Sequence, residues 1–210
     1  SASSGHTANC SSTPTVALPV FTVNTGNYTT TQSIEITTAT TGASVYYTTN
    51  GDIPTETSTL YTTPISVSTT TTIKAKAFKS GMDASSVASA TYTFPTEVAN
   101  IAALRAATHP GFYKLTGEAV LTLKSATRNA KYIQDATAAV LIDDNSAKIT
   151  TAYNLGDGIT GIIGTTALYN GMLQFSPRVD PGVATSTGKT ITPALVEVAD
   201  LVNYPAQLVK

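Results

Sequence analysis

The chain has 210 residues, enough for one large domain or two of about 100 residues each. Apolar residues make up 41%, which supplies a real core. Only 12% are charged, against roughly 25% in an average domain, so Thr, Ser and Asn carry most of the polarity. The formal net charge is −1, with three Lys against four acidic residues up to Phe94 and nine basic against nine acidic residues beyond it. Neither half has the basic excess of a general nucleic-acid binder.

A single cysteine, Cys10, excludes an internal disulfide framework. It stands in a small, polar, aperiodic stretch, Ser1 to Val16, that reads as a flexible leader with His6 as a tail residue. The residues before Cys10 lack the apolar run that lipid attachment needs. A plain leader cysteine is therefore expected, and its lipidation in a longer precursor stays open. No apolar run reaches the roughly 18 residues of a membrane span.

From Ala17 the pattern turns to short β runs. Strands are expected near Val20–Val23, Ser33–Thr38, Ser44–Thr48, Tyr61–Val67, Thr71–Phe78 and Val87–Thr93. Alternation is clear in Thr72-Ile-Lys-Ala-Lys-Ala-Phe78, with Ile73, Ala75 and Ala77 on one face and Lys74 and Lys76 on the other. Asn50-Gly51 suits a tight turn because both residues tolerate positive φ, and Pro54 fixes a corner behind it. Turn signals every 8–12 residues or so point to a small antiparallel sandwich of immunoglobulin-like type.

The wording Gly42-Ala-Ser-Val-Tyr-Tyr-Thr-Thr-Asn-Gly-Asp-Ile-Pro-Thr55, with Pro19-Val-Phe21, Gly26-Asn-Tyr28, Ile34-Glu-Ile36, Leu60-Tyr61, Pro64-Ile65 and Ile73-Lys-Ala-Lys-Ala77, resembles the chitobiase/β-hexosaminidase C-terminal-type domain. Asn50 stands where that family usually carries Asp, and the turn is served equally well. The resemblance covers about residues 18–94. It implies a non-catalytic β-sandwich module appended to secreted or surface proteins, and no hexosaminidase activity in this chain.

Beyond the boundary at Pro95-Thr96, the spacing of Val98, Ile101 and Leu104 predicts a helix over Thr96–Ala106, capped by a Thr and ended by His109-Pro110-Gly111. Strands are then expected at Phe112–Leu123, Lys131–Gln134, Ala138–Asp143, Asp157–Gly164 and Gly171–Phe175. One long first strand, a hairpin and two later strands suggest an OB-type barrel of five strands. The phrases Tyr113-Lys-Leu-Thr-Gly-Glu-Ala-Val120, Tyr132-Ile-Gln-Asp135, Gly156-Asp-Gly-Ile-Thr-Gly161 and Asn170-Gly-Met-Leu-Gln174 resemble OB-fold modules of secreted bacterial surface proteins and extracellular nucleases. Near the end, Leu195-Val-Glu-Val-Ala-Asp-Leu201 echoes Val98-Ala-Asn-Ile-Ala-Ala-Leu104, as though another unit were starting.

Candidate sites are few. Gly156-Asp-Gly158-Ile-Thr-Gly161 spells a dinucleotide fingerprint, but it leads into a β pattern and not into a helix, which excludes that use. Asp143-Asp144-Asn145-Ser146 offers oxygen ligands without the spacing of a calcium loop, and reads as a solvated hairpin turn. Tyr46 and Tyr61 are candidate sugar-stacking residues. Tyr47, adjacent to Tyr46, must point to the other face of its strand. In the second half Tyr132 and Tyr169 are ligand-binding candidates; Tyr153 and Phe175 belong to the same aromatic set that could stack bases. Glu118 and Asp135 are the only conceivable acid–base carboxylates, and His109 reads as a surface turn residue.

The fold class is therefore all-β: a leader over 1–16, an immunoglobulin-like β-sandwich over 17–95, an OB-like β-barrel with a short leading helix over 96–190, and the start of a further repeat or a C-terminal extension over 191–210. No enzyme activity, catalytic residue, cofactor or metal is expected. The expected function is that of an accessory or spacer module of a secreted or cell-surface, outer-membrane-associated bacterial protein, with extracellular glycan as the candidate partner. The alternatives are a nucleic-acid-binding accessory region of an extracellular nuclease, or a purely structural stalk.

Overall fold

The structure, a computed structural model, describes residues 13–190. The expectations for most of the leader, including Cys10 and His6, and for the repeat over 191–210 lie outside the described residues. The chain divides into two compact units, one running to Phe94 and the other starting at Pro95.

The first unit is built from nine short strands: β1 (Val20–Phe21), β2 (Gly26–Asn27), β3 (Gln32–Ile34), β4 (Ile36–Thr37), β5 (Ser44–Thr48), β6 (Thr59–Leu60), β7 (Ile65–Val67), β8 (Thr71–Phe78) and β9 (Ala88–Thr93). A five-stranded sheet runs β2-β9-β8-β5-β6, and the pairs β1–β4 and β3–β7 supply the facing strands. The alternation in β8 has the consequence it promised. Ile73, Ala75 and Ala77 are fully buried, and Ile34, Ile36, Val45, Val67 and Tyr92 close around them. Three strand expectations were too long, Val20–Val23 among them, of which only Val20–Phe21 forms a strand. The run Ser33–Thr38 breaks at Glu35, whose N–H binds Thr22 Oγ1 and whose carbonyl accepts from Thr22 N, so β3 and β4 pair with different partners. The run Tyr61–Val67 is interrupted before Ile65.

The leader is also shorter than expected. Val16 is 3% exposed in this core and its N–H binds the Asp83 carbonyl at 2.9 Å. Thr48, Asn50, Gly51 and Asp52 make the turn that the sequence marked. Gly51 has φ 87°, the Asn50 side chain bonds both the N–H and the carboxylate of Asp52, and Thr48 Oγ1 donates to the Asp52 carbonyl.

The second unit holds β10 (Thr96–Val98), helix α1 (Ile101–Ala106), β11 (Gly111–Leu115), β12 (Ala119–Lys124), β13 (Lys131–Gln134), β14 (Ala139–Ile142), β15 (Gly158–Ile159), β16 (Ile162–Tyr169) and β17 (Met172–Pro177). They form one sheet in the order β10-β11-β16-β17-β14-β13-β12-β15. β11 and β12 lie near opposite ends of that order, yet only residues 116–118 join them, so the sheet must curl into a half-barrel. Gly117 permits the bend: a Cβ there would press into the Ala99 carbonyl oxygen. Its interior is filled by Leu115, Leu121, Ile133, Val140, Ile142, Ile159, Ile162 and Phe175.

The sheet has eight strands where five were expected. The long first strand is divided in two, the expected strand Asp157–Gly164 is split into β15 and β16, and β10 adds an edge. The helix is shorter than Thr96–Ala106, because Thr96–Val98 pair in parallel with Tyr113–Leu115. Asn100, not Thr96, is the cap. Its Oδ1 accepts from Ala103 N, while Asp135 Oδ2 takes Ile101 N and Thr137 Oγ1 takes Ala102 N. Three first-turn donors thus find acceptors that the local sequence did not advertise.

Candidate functional site

Register decides which side chains of the half-barrel point outwards. Tyr132 pairs with Leu141, Leu141 with Gln174, and Gln174 with Ala167. Directly paired residues share a face and alternate residues return to it. Ile133, Val140 and Phe175 point into the core, so Tyr132, Leu141, Gln174 and Ala167 form a row on the opposite face, where Leu141 is itself only 7% exposed. A bulge after Leu121 brings Leu123 opposite Tyr132 on that same side. Two residues beyond Ala167, Tyr169 pairs with Met172 and is 63% exposed. Tyr132 and Tyr169, from β13 and β16, thus occupy one surface.

That surface ends in a recess of about 200 Å³ lined by Arg128, Tyr169 and Gln174. Tyr169 is carried by the hairpin Tyr169-Asn170-Gly171-Met172, where Asn170 and Gly171 have φ 49° and 80°, the geometry of the tight turn that Asn-Gly favours. Arg128 comes from the loop between β12 and β13. It has φ 56° and ψ 21°, and Asn129 follows at φ 49°. Two consecutive non-glycine residues in the left-handed region cost ~1–3 kcal/mol each and persist only where surroundings hold them.

The surroundings are two aspartates. Asp143 accepts from Arg128 Nε at 2.9 Å and from Nη2. This fork holds the guanidinium well above its ordinary pKa through the hydrogen bond and the charge of Asp143. Asp144 accepts from Asn129 Nδ2 at 2.8 Å, Lys131 Nζ at 3.1 Å and the N–H groups of Lys148 and Ile149. Asp143 is 8% exposed and Asp144 1%, so they are not the solvated turn expected from their clustering. They are the anchor of the Arg128 loop. Among the described residues no group of three or more His, Cys, Asp or Glu is placed to hold a metal.

The other sequence candidates are used structurally. Tyr153 and Phe175 are buried in the core of the second unit. Tyr153 donates to the Gly182 carbonyl, and burial raises its phenol pKa. Tyr46 and Tyr61 are not brought together. Tyr61 packs edge-on against Tyr47 at 6.5 Å over the first unit's core. Tyr46 lies on the opposite face, edge-on to Phe78 at 5.7 Å.

Glu118 and Asp135 do not make an acid–base pair. Asp135 accepts from Ile101, Thr137 and Ala138 at the start of α1. Glu118 accepts from Lys189, Ser186 and Thr185, which lower its pKa to about 2. His109 is half-buried and is no free turn residue: its Nδ1 meets Thr166 Oγ1 at 2.8 Å and its Nε2 the Arg105 carbonyl at 3.4 Å. Gly158, inside the fingerprint-like run, pairs in β15 with Val120 and opens no helix. Arg128 is the residue that the sequence reading missed. Only its place beside Asn129-Ala130, between two strong strand patterns, hinted at a loop that could aim it.

What fold and site define, then, is an all-β protein with an immunoglobulin-like sandwich and a curled half-barrel, the latter with a small aromatic and polar recess on its outside. Residues 23–93 match the model of the chitobiase/β-hexosaminidase C-terminal domain. The first unit is a domain of that type, a C-terminal non-catalytic module in chitobiases and hexosaminidases. No curated protein and no solved structure matches the chain. Among the described residues no helix is long and apolar enough to cross a membrane.

Proposed function

We propose that this chain is a non-catalytic accessory region of a secreted or cell-surface bacterial protein, and that its second unit contacts extracellular glycan through the outer face of the half-barrel. The observation that carries the reading is the placing of Tyr132 and Tyr169 on one surface, beside a recess edged by an arginine and an amide. An exposed aromatic ring offers a flat apolar face to the C–H side of a sugar, and fixed polar groups beside it select hydroxyls. A domain of the chitobiase C-terminal type in the first unit suits an accessory role.

One observation favours a second reading, nucleic-acid contact. If the bent β11–β12 chain is counted as one strand, the pairing runs first–second–third–fifth–fourth and back to the first, with β14 and β17 parallel. We read this order as that of an OB-type barrel, whose outer face often holds oligonucleotides or oligosaccharides. Single-stranded nucleic acid needs a basic track beside the aromatics. Arg128 is already bonded to Asp143 here, which favours sugar.

Titrating the protein against a glycan array and a short single-stranded oligonucleotide, at low and physiological salt, tests the choice. The expected result is saturable glycan binding that survives salt and weakens about tenfold in Tyr132→Ala, a loss of about 1.4 kcal/mol. Oligonucleotide binding that collapses with salt overturns the glycan reading in favour of the second. Silence in both assays leaves a structural stalk.

A further inference from the structure

The geometry points to a more specific role for the recess between the Arg128 loop and the β16–β17 hairpin: we propose that it is a subsite for a single uncharged sugar ring, with Arg128 as its specificity-determining residue. The inference rests on the glycan reading above and narrows it to one chemistry.

Size comes first. About 200 Å³ is below the ~300–1,000 Å³ of sites for drug-sized molecules, and leaves room for one ring and not for an extended chain. The lining then offers three kinds of contact. Tyr169 contributes an aromatic ring, Gln174 an amide that both donates and accepts, and Arg128 a planar set of donors. A pyranose, with hydroxyls around its edge and C–H bonds on its faces, can use all three at once.

Charge decides between neutral and acidic ligands. Among the described residues Arg128 is the only cation lining the recess, and its Nε and Nη2 are committed to Asp143 in a two-bond fork. An incoming carboxylate, sulfate or phosphate would have to compete with a carboxylate already seated in the better geometry, and would meet a pair that is neutral overall. Among the described residues nothing bonds the Nη1 edge, which suits hydroxyl oxygens that need a donor but no net charge.

The loop is also held before any ligand arrives. Arg128 and Asn129 sit in the left-handed region because Asp143 and Asp144 grip their side chains, and Lys131 Nζ bonds both Asp144 and the Asn129 carbonyl. A guanidinium fixed in advance loses little freedom on binding, which is where weak sugar contacts usually lose affinity. Ordinary packing has no need of an arginine held in a strained backbone conformation with its side chain 56% exposed.

The test is calorimetric titration of the protein with neutral oligosaccharides (cello-, xylo-, manno- and chito-oligomers) and with acidic ones (oligogalacturonate and heparin fragments). Gln174→Ala, on a regular strand, removes one contact without disturbing the loop. Arg128→Lys removes the planar donor set while keeping the charge. The expected result is that a neutral oligomer binds, that each substitution weakens it at least tenfold with unchanged circular dichroism, and that acidic oligomers do not bind. Asp143→Asn unmasks the Arg128 charge and is expected to reverse the preference, gaining affinity for oligogalacturonate. Wild-type preference for an acidic oligomer overturns the proposal, as does neutral-sugar binding indifferent to both Gln174→Ala and Arg128→Lys. In the latter case, loss of binding in Tyr132→Ala would leave the broader glycan reading standing. No binding of any glycan overturns both.

Discussion

The two units are both curled or layered β structures, and they close their loops by opposite means. In the first, turns are held by hydroxyls, backbone, the Asn50–Asp52 pair and Lys79 on the Thr41 carbonyl, most of them exposed. Its one buried polar side chain among the described residues is Ser85, whose Oγ accepts from Ala77 N and donates to the Ser86 carbonyl. In the second, loops are tied by aspartates. Asp143, Asp144 and Asp157 are buried, as are Lys131, Gln134 and Thr166. Asp180 gathers the N–H groups of Thr150, Thr151 and Gly182 together with both threonine hydroxyls. Burial pushes the Asp180 carboxyl up, but these bonds outweigh it and hold the group well below the usual carboxylate range. A buried charge is a larger liability than a buried hydroxyl unless every partner is present. The second unit therefore depends on a small number of exact contacts, while the first spreads its stability over its apolar core.

The sharpest way to break this contrast is to remove one acceptor from each unit. Asp144→Ala strips Lys131 of its only carboxylate partner among the described residues and takes the Asp144 acceptor from the Lys148 and Ile149 amides. Removing one partner of a buried pair costs about 3–5 kcal/mol, and urea unfolding should show the second unit alone destabilised by that amount. Ser85→Ala, the corresponding change in the first unit, orphans the buried Ala77 N–H and should cost about 1–3 kcal/mol. Equal losses in the two variants would refute the idea that the units differ in how much they rest on single polar contacts.

The same contrast explains what could be read from the chain. The first unit follows from alternation and turn chemistry. β8 and its buried face, β5, and the Asn50-Gly51 turn are properties of neighbouring residues. In the second, β13 is found at its expected bounds. The Arg128 site was not visible, because it depends on Asp143 and Asp144, some 15 residues further along. An aspartate that grips a distant loop looks, in sequence, like any aspartate in a turn. The helix was overextended for a related reason. Val98 keeps the apolar spacing of a helix, but β11 offers its preceding residues a ladder, and Asp135 and Thr137 cap the helix from across the fold. Tyr132 and Tyr169 could be picked as aromatics, but only strand register places them on one surface.

The smallest expected effect is also the cleanest probe of a polar tie in the second unit. Glu118 joins the start of β12 to residues 185–189 through Thr185, Ser186 and Lys189, and its pKa falls to about 2. Its ordinary value is ~4.3. A carboxylate bound more tightly in the folded state contributes stability that is present above its unfolded pKa and disappears as pH falls through its folded pKa. The tie should thus be complete at neutral pH, weaken below about pH 4 and be lost near pH 2. Carboxyl-detected NMR titration would give a midpoint near 2 in the native protein. In Lys189→Ala, which removes the largest cause of the shift, the midpoint should climb back towards ~4.3. A native midpoint already near the ordinary value would mean that the segment is not held in solution, and that loops of the second unit need the buried aspartates but not this partly exposed glutamate.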